Sequence, residues 1–427
     1  MDAETPSVIG GNAITALRAL EALRAGVPNR ESVLALGTKQ QKVVDSYLKN
    51  LEATSRRATW QNAEQAVGGL LIAGGFGSGK SHLVEYLAQL ALRENFVVSK
   101  VVISKETPLY NVPSVYRAAI NDARVPGRPG SAVHEIAISL RPDSIRFSQL
   151  YRWLETEGKF LDHRLIATLR MFEQYSSGDE EFTDRILQFW AGGKLGISEI
   201  RKRLREAGWL GEYNIKSSRE DLLCKDRFSF FSRLVVAAGY SGWVLLIDEV
   251  ELVGRYSLLQ RARSYAEVSG WLDGSHQDPG APLTAVLTTV DDFENEVLIH
   301  RDDMNKVPAK LLAHRSMEWQ QMVGSVRRGM ELLSQKQMQL DPPSGEELDM
   351  TYRAIKAIHA EAFNWSPPDV EGIERLPSNR MRQYVRSWIN EWDLVYLDPS
   401  YAPSTVVMPV EIDLAADANE ISDISAY

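Results

Sequence analysis

The sequence predicts an α/β fold, a parallel-sheet core of the P-loop NTPase kind with a large helical insertion and a C-terminal helical subdomain. Three observations carry this. An apolar run, Gly68 to Ala73, leads into Gly74-Gly75-Phe76-Gly77-Ser78-Gly79-Lys80-Ser81, and a helical pattern, Ser81 to Glu94, follows. A second apolar run, Trp243 to Ile247, ends in Asp248-Glu249. Lys80 and Asp248 lie 168 residues apart, and the chain between Lys105 and Tyr240 reads mainly as helix, broken at Pro126 to Gly130, Gly192-Gly193 and Gly211.

Each element follows from local pattern. Residues 12 to 25 put Ile14, Leu17, Leu20 and Leu23 at three-residue steps, predicted as one helical face, and Gly26-Val27-Pro28-Asn29 stops that helix. A second helix is expected over 38–53. The strand at 68–73 and the valine-rich segment 96–104 flank the helix after the glycine loop, and a strand-helix-strand unit of that length favours parallel pairing. Asp226 to Ala238 reads as helix, 243–247 as a buried strand, Arg255 to Leu272 as helix, 283–290 as a strand and 336–340 as a last short strand. After Asp291 the chain turns polar and charged. Ser344 and Glu347 have capping-box spacing ahead of a helix to about Phe363, and Asn379 to Leu394 reads as another. The organisation expected is an N-terminal helical segment (1–67), the first part of the core (68–110), the insertion (111–225), the second part of the core (226–341), the C-terminal helical subdomain (342–397) and an acidic tail (398–427).

Composition sets bounds on function. At 427 residues the chain exceeds the usual single-domain size, and no apolar stretch approaches the ~20 residues that span a bilayer. Met1 to Gly11 lacks a basic start and an apolar run, so an ordinary secretory signal is not expected and the expected location is the cytoplasm. A lone cysteine, Cys224, excludes an internal disulfide and a cysteine zinc cluster, and is expected to be a structural thiol. The net charge is -9, yet no Lys or Arg follows Arg386 while eight acids do, so the preceding residues carry 48 basic against 49 acidic groups. Basic patches on that nearly neutral body stay compatible with nucleic acid.

The chemistry expected is that of ATP. A glycine loop between a strand and a helix lets backbone N–H groups ring a phosphate, aided by the positive end of the helix. Gly74, Gly75, Gly77, Ser78, Gly79, Lys80, Ser81 and His82 are therefore the candidate nucleotide-binding residues, with Lys80 bridging the terminal phosphates. The Ser81 hydroxyl and Asp248 are the candidate Mg2+ ligands, the latter through water, and Glu249 is the candidate for polarising the attacking water. Glu251 is either a second acid or a helix-start charge. Thr288 and Thr289 end the next strand, where Thr289 either senses the γ-phosphate or fills the strand as a β-branched residue. Arg380 and Arg382, early in the late helix, are placed where an arginine reaches back to the nucleotide, and Arg301 and Arg315 are candidates for acting on a neighbouring copy. The stretch Lys194 to Trp209, with Arg201, Lys202, Arg203 and Arg205, is either a nucleic-acid face or a solvated helix face.

The segments Glu21 to Pro28, Gly69 to Leu83, Val101 to Tyr110 and Ala238 to Glu251 resemble the ATP-binding proteins of bacterial BREX phage-defence systems. These are BrxD-like P-loop ATPases related to the AAA+ and origin-recognition ATPases. The resemblance spans about three quarters of the chain. It implies an AAA+-like core and nucleotide contacts from Gly74, Gly79, Lys80 and Ser81. It also implies magnesium at Asp248, hydrolysis through Glu249 and a second-sensor role for Arg380. It further implies a defence role beside DNA, a helicase or other system components, and allows a homo-oligomer. Where many AAA+ relatives carry a sensor asparagine, this chain has Thr288-Thr289, so a nucleotide-gated switch with little or no hydrolysis is the alternative to an ATPase.

Overall fold

A computed structural model describes residues 11–58, 68–156, 158–176, 178–274, 280–335, 337–370 and 381–402. It contains a five-stranded sheet formed by β1 (Leu70–Ala73), β2 (Val97–Val102), β3 (Trp243–Asp248), β4 (Leu283–Thr289) and β5 (Gln337–Gln339). Their order across the sheet is β2-β3-β4-β1-β5. All five expected strands are present. β2 and β3 run parallel with Val97 opposite Trp243 and Val102 opposite Asp248, and β3 and β4 run parallel with Trp243 opposite Leu283 and Ile247 opposite Leu287.

β3 and β4 are buried at every position, as strands covered on both faces must be, and accordingly Trp243 to Ile247 is wholly apolar and the only polar residues of β4 are threonines. Trp243 anchors one face. Its ring stacks on Phe228 and meets Phe231 edge-on, both from the helix Glu220–Ala237, and its indole N–H donates to Ser99 Oγ at 2.9 Å. β2 lies at the sheet's edge, and that edge is closed locally: Val98 exchanges backbone hydrogen bonds with Arg124, and the Lys100 N–H donates to the Asp122 carboxylate at 2.7 Å.

The chain divides into two compact units, one of residues 1–44, 73–89 and 339–427, the other of 45–72 and 90–338. In the first, the helix Gly11–Ala25 packs with Gly345–Phe363 and Met381–Leu397 around Leu20, Leu23, Ile355, Trp388, Ile389 and Trp392. Its buried face is Ala16, Ala19, Leu20 and Leu23, whereas Ile14 and Leu17 are exposed. This corrects the expected face. Nine residues are about two and a half helical turns, so repeated three-residue steps carry Leu23 to the side opposite Ile14. Arg24 holds Asp393 through Nε at 3.1 Å and Nη2 at 2.9 Å, and Asp393 also meets the buried His359 at 3.2 Å. The short helix Arg30–Leu36 was not expected from the sequence, although Asn29 and Ser32 form its capping box.

The second unit holds the helices from Val112 to Ala237; the expected breaks at Pro126 to Gly130 and Gly192-Gly193 fall between helices, Gly211 lies in the 3₁₀ turn Leu210–Glu212, and a further break between Ser139 and Ile145 was not expected. Cys224 is buried within it, its thiol pKa raised by that burial. The polar segment after Asp291 forms a π-helix, Glu294–His300, and two α-helices, Asp303–Leu312 and Met317–Gln335. Met317–Gln335 crosses Leu258–Asp273 at Gly329, where a Cβ would stand 1.9 Å from the Tyr265 carbonyl oxygen. The tail beyond residue 402 and the segment 371–380 lie outside the described residues.

Gly329→Ala is expected to destabilise the protein by at least about 2 kcal/mol, because the added methyl meets backbone and not a movable side chain. Gly324→Ala, in the same helix with nothing within 4 Å of its Cβ position, is expected to be neutral or to stabilise by up to about 1 kcal/mol. Thermal denaturation of the two variants checks the pair, and equal melting temperatures would contradict the packing described.

Candidate nucleotide-binding site

In the first unit, the chain leaves β1 and turns through Gly74 to Gly79 onto the helix Lys80–Arg93. Gly77 and Gly79 have φ of 73° and 98°, the left-handed region that glycine enters without steric cost. Such conformations in a short run curl successive N–H groups into an anion-binding concavity, and the first N–H groups of the helix have no carbonyl of their own helix to meet. Gly74 is close-packed: a Cβ there would stand 2.7 Å from Ser78 Oγ and 3.1 Å from Leu340 Cδ1. The Ser78 hydroxyl is buried without a hydrogen-bond partner among the described residues.

Lys80 is buried, with its ammonium turned back into the loop. It donates to the carbonyl of Gly74 and, at 3.3 Å, to that of Gly75, and it lies 5.5 Å from the centre of the Phe76 ring. The cation is thus held inside the turn by its own carbonyls. Ser81 opens the helix beside it. His82 is used differently from the expectation: its Nε2 lies 2.8 Å from the Gly37 carbonyl, and burial lowers its pKa, so the neutral ring donates to that oxygen. What His82 can offer a phosphate is its backbone N–H.

In the second unit, Asp248 is the last residue of β3 and is buried. Thr288 follows Leu287, the partner of Ile247, and so stands beside it; its hydroxyl donates to Asp248 Oδ1. The Glu249 N–H points to the same pair, 3.2 Å from Asp248 Oδ1 and 3.3 Å from Thr288 Oγ1. Asp248 Oδ2 faces Lys100 of β2, whose Nζ is 3.7 Å away. Register explains the approach: Lys100 pairs with Leu246, two residues before Asp248, so both side chains leave one face of the sheet. Sequence reasoning missed Lys100, although a single charge within Val97-Val98-Ser99-Lys100-Val101-Val102 was the available signal.

Glu249 is exposed and adopts φ 63° and ψ 39°. A left-handed backbone at a non-glycine residue costs on the order of 1 kcal/mol and is held here between the end of β3 and the 3₁₀ turn Val250–Arg255. Glu251 sits in the first turn of that 3₁₀ segment and is buried. Of the two threonines, Thr288 makes the contact with Asp248; Thr289 alternates to the opposite face of β4, fully buried, with its hydroxyl unpartnered among the described residues.

The candidate arginines divide. Arg380 lies outside the described residues, and Arg382 donates to the Gly26 carbonyl at 2.7 Å. Arg301 donates to the Gly254 carbonyl, while Arg315 is exposed between two helices. In the basic stretch, Arg203 pairs with Asp179 at 2.8 Å over the Phe182 ring and Arg201 donates to the Ile215 carbonyl at 2.7 Å, so both are engaged within the fold. Lys202 lies 3.9 Å from Glu206, and Lys194 and Arg205 are exposed.

For magnesium, the fit is to a site of few protein ligands. Among the described residues no three His, Cys, Asp or Glu side chains converge as a metal cage. A hard cation that keeps most of its water asks for one carboxylate or hydroxyl oxygen and substrate phosphates, and Asp248 Oδ2 already faces a positive group.

Among known proteins, no curated protein and no solved structure matches the chain. The family model described as BREX system ATP-binding protein BrxC/D matches residues 15–139 and 164–393. The match takes in the glycine loop, β2, β3 with Asp248-Glu249, β4 and the late helices. The chain therefore belongs to the BrxC/D family of BREX system ATP-binding proteins.

Proposed function

We propose that this protein is a Mg2+-dependent ATPase whose nucleotide state acts on DNA or on a DNA-processing partner within the BREX system. The observation that carries the reading is the loop Gly74–Ser81: two left-handed glycines curl it, its lysine is turned inward, and it opens onto the N-terminus of a 14-residue helix. In this reading the loop N–H groups cradle the β- and γ-phosphates and Lys80 exchanges the Gly74 and Gly75 carbonyls for phosphate oxygens. Ser81 in the first unit and Asp248 in the second are each a candidate ligand of magnesium, which when bound would supply charge neutralisation at the phosphates.

Glu249 orients water in line with the γ-phosphate. Its strained backbone supports that role, since a left-handed glutamate persists only where its surroundings over-determine it, and such positions gather at functional sites. Catalysis is then mostly positioning and electrostatics. A specific observation favours the slower alternative. The threonine hydroxyl that ends β4 beside Asp248 is occupied with that carboxylate, and the second threonine points to the opposite face, so a γ-phosphate sensor on β4 is not free as the chain stands. The alternative is a switch that binds ATP, changes its partners and turns over slowly.

The DNA part of the proposal rests on the family's system and not on Lys194–Trp209, where Arg201 and Arg203 are already engaged. Lys194, Arg201, Lys202 and Arg205 of that stretch are exposed.

Lys80→Ala is expected to weaken ATP binding at least tenfold and up to about 100-fold, the value of a charge-assisted contact to phosphate. Equilibrium binding of ATP to the variant checks this, and an unchanged affinity would refute the assignment of the loop. Glu249→Gln is expected to keep ATP binding and lower phosphate release about 100-fold or more, measured with and without DNA. If the wild-type protein releases no phosphate under either condition while still binding ATP, the switch is the correct reading.

A further inference from the structure

Lys100 belongs to no motif, yet its ammonium stands 3.7 Å from the carboxylate that ends β3. Three features make its position a built one. Its backbone is held from both sides, by the parallel ladder to β3 and by the Asp122 carboxylate, which accepts its N–H at 2.7 Å. Its side chain leaves the same sheet face as Asp248. The two oxygens of the Asp248 carboxylate have different neighbours, Oδ1 taking the Thr288 hydroxyl and the Glu249 N–H, Oδ2 facing the Lys100 ammonium.

The 3.7 Å separation is too long for a hydrogen bond and short enough for an ion pair. Asp248 is 5% exposed and Lys100 25% exposed at the side chain. A carboxylate that deeply placed is costly to hold without a positive partner, whereas the lysine, at the end of a flexible four-carbon stem near solvent, can leave.

We propose that Lys100 is a positioning residue that serves as the resident counter-ion of Asp248, standing in for the divalent cation and yielding the Oδ2 side when Mg2+ binds there. This rests on the reading of Asp248 as a metal-side carboxylate. Metal binding is then an exchange of one cation for another at a single carboxylate. The exchange holds the metal affinity down and keeps Asp248 aligned beside Thr288 when no metal is present. No bond is made or broken; an ammonium moves from a carboxylate toward water.

The test measures Mn2+ binding, by electron paramagnetic resonance of the free ion, to the full-length protein saturated with a non-hydrolysable ATP analogue. Lys100→Gln removes the competing charge and is expected to lower the half-saturating Mn2+ concentration roughly fivefold, the scale of one partly exposed ion pair. It is also expected to lower the melting temperature of the metal-free protein, with part of that loss restored by metal. Lys100→Arg keeps the charge and is expected to retain the wild-type Mn2+ midpoint, a rescue that a purely structural lysine would not show. A Mn2+ midpoint unchanged or raised in Lys100→Gln, with a normal response in wild type, overturns the role of Lys100 and leaves the metal reading standing. Equal Mn2+ binding by wild type and Asp248→Asn overturns the placement of metal at Asp248, and the inference with it.

Discussion

The parallel ladder in which β3 lies between β2 and β4 determines which side chains can meet at the carboxyl end of the sheet. Because the three strands run in register, Asp248 has Thr288 beside it on β4 and Lys100 diagonally opposite on β2. A one-residue slip of either neighbour would turn Lys100 or Thr288 to the other face and leave a buried carboxylate without its partners. The apolar burial of β3 and β4 and the aromatic packing on Trp243 are what make such a slip expensive. Core packing here has a direct chemical consequence.

The same strand end concentrates charge and strain. Asp248 receives a hydroxyl, a backbone N–H and an ammonium, and the next residue adopts a left-handed backbone. None of these would be chosen for stability alone, since a well-packed apolar turn would satisfy the fold at lower cost. The glycine loop shows the complementary arrangement, with a lysine held by carbonyls inside a turn suited to anions.

Much of this was legible in the sequence because the relevant signals are local. Glycine spacing marked the loop, apolar or valine-rich segments of strand length marked the first four strands, and Ser344, whose hydroxyl accepts the Glu347 N–H, marked a helix start. The parts that were not legible depend on register or rotation. Whether Thr288 or Thr289 faces Asp248 is set by strand pairing, and nothing in the dipeptide distinguishes them. The same pairing brings in Lys100 from a residue 148 positions earlier in the chain. Of the residues at three-residue steps in the first helix, Leu20 and Leu23 are buried but Ile14 and Leu17 are not, since the helical repeat exceeds three. The basic residues near 200 looked available until Asp179 and the Ile215 carbonyl were seen to take two of them, contacts that no periodicity reveals.

Binding of polyphosphate by the backbone of the glycine loop is the claim on which the functional account stands. Amide hydrogen exchange, followed by mass spectrometry with and without a non-hydrolysable Mg2+·ATP analogue, addresses it at the level of the groups involved. The account predicts that peptides covering Gly74 to Leu83 gain strong protection when the analogue binds, because their N–H groups pass from solvent to phosphate oxygens. Saturating binding of the analogue with unchanged exchange across those residues would contradict it.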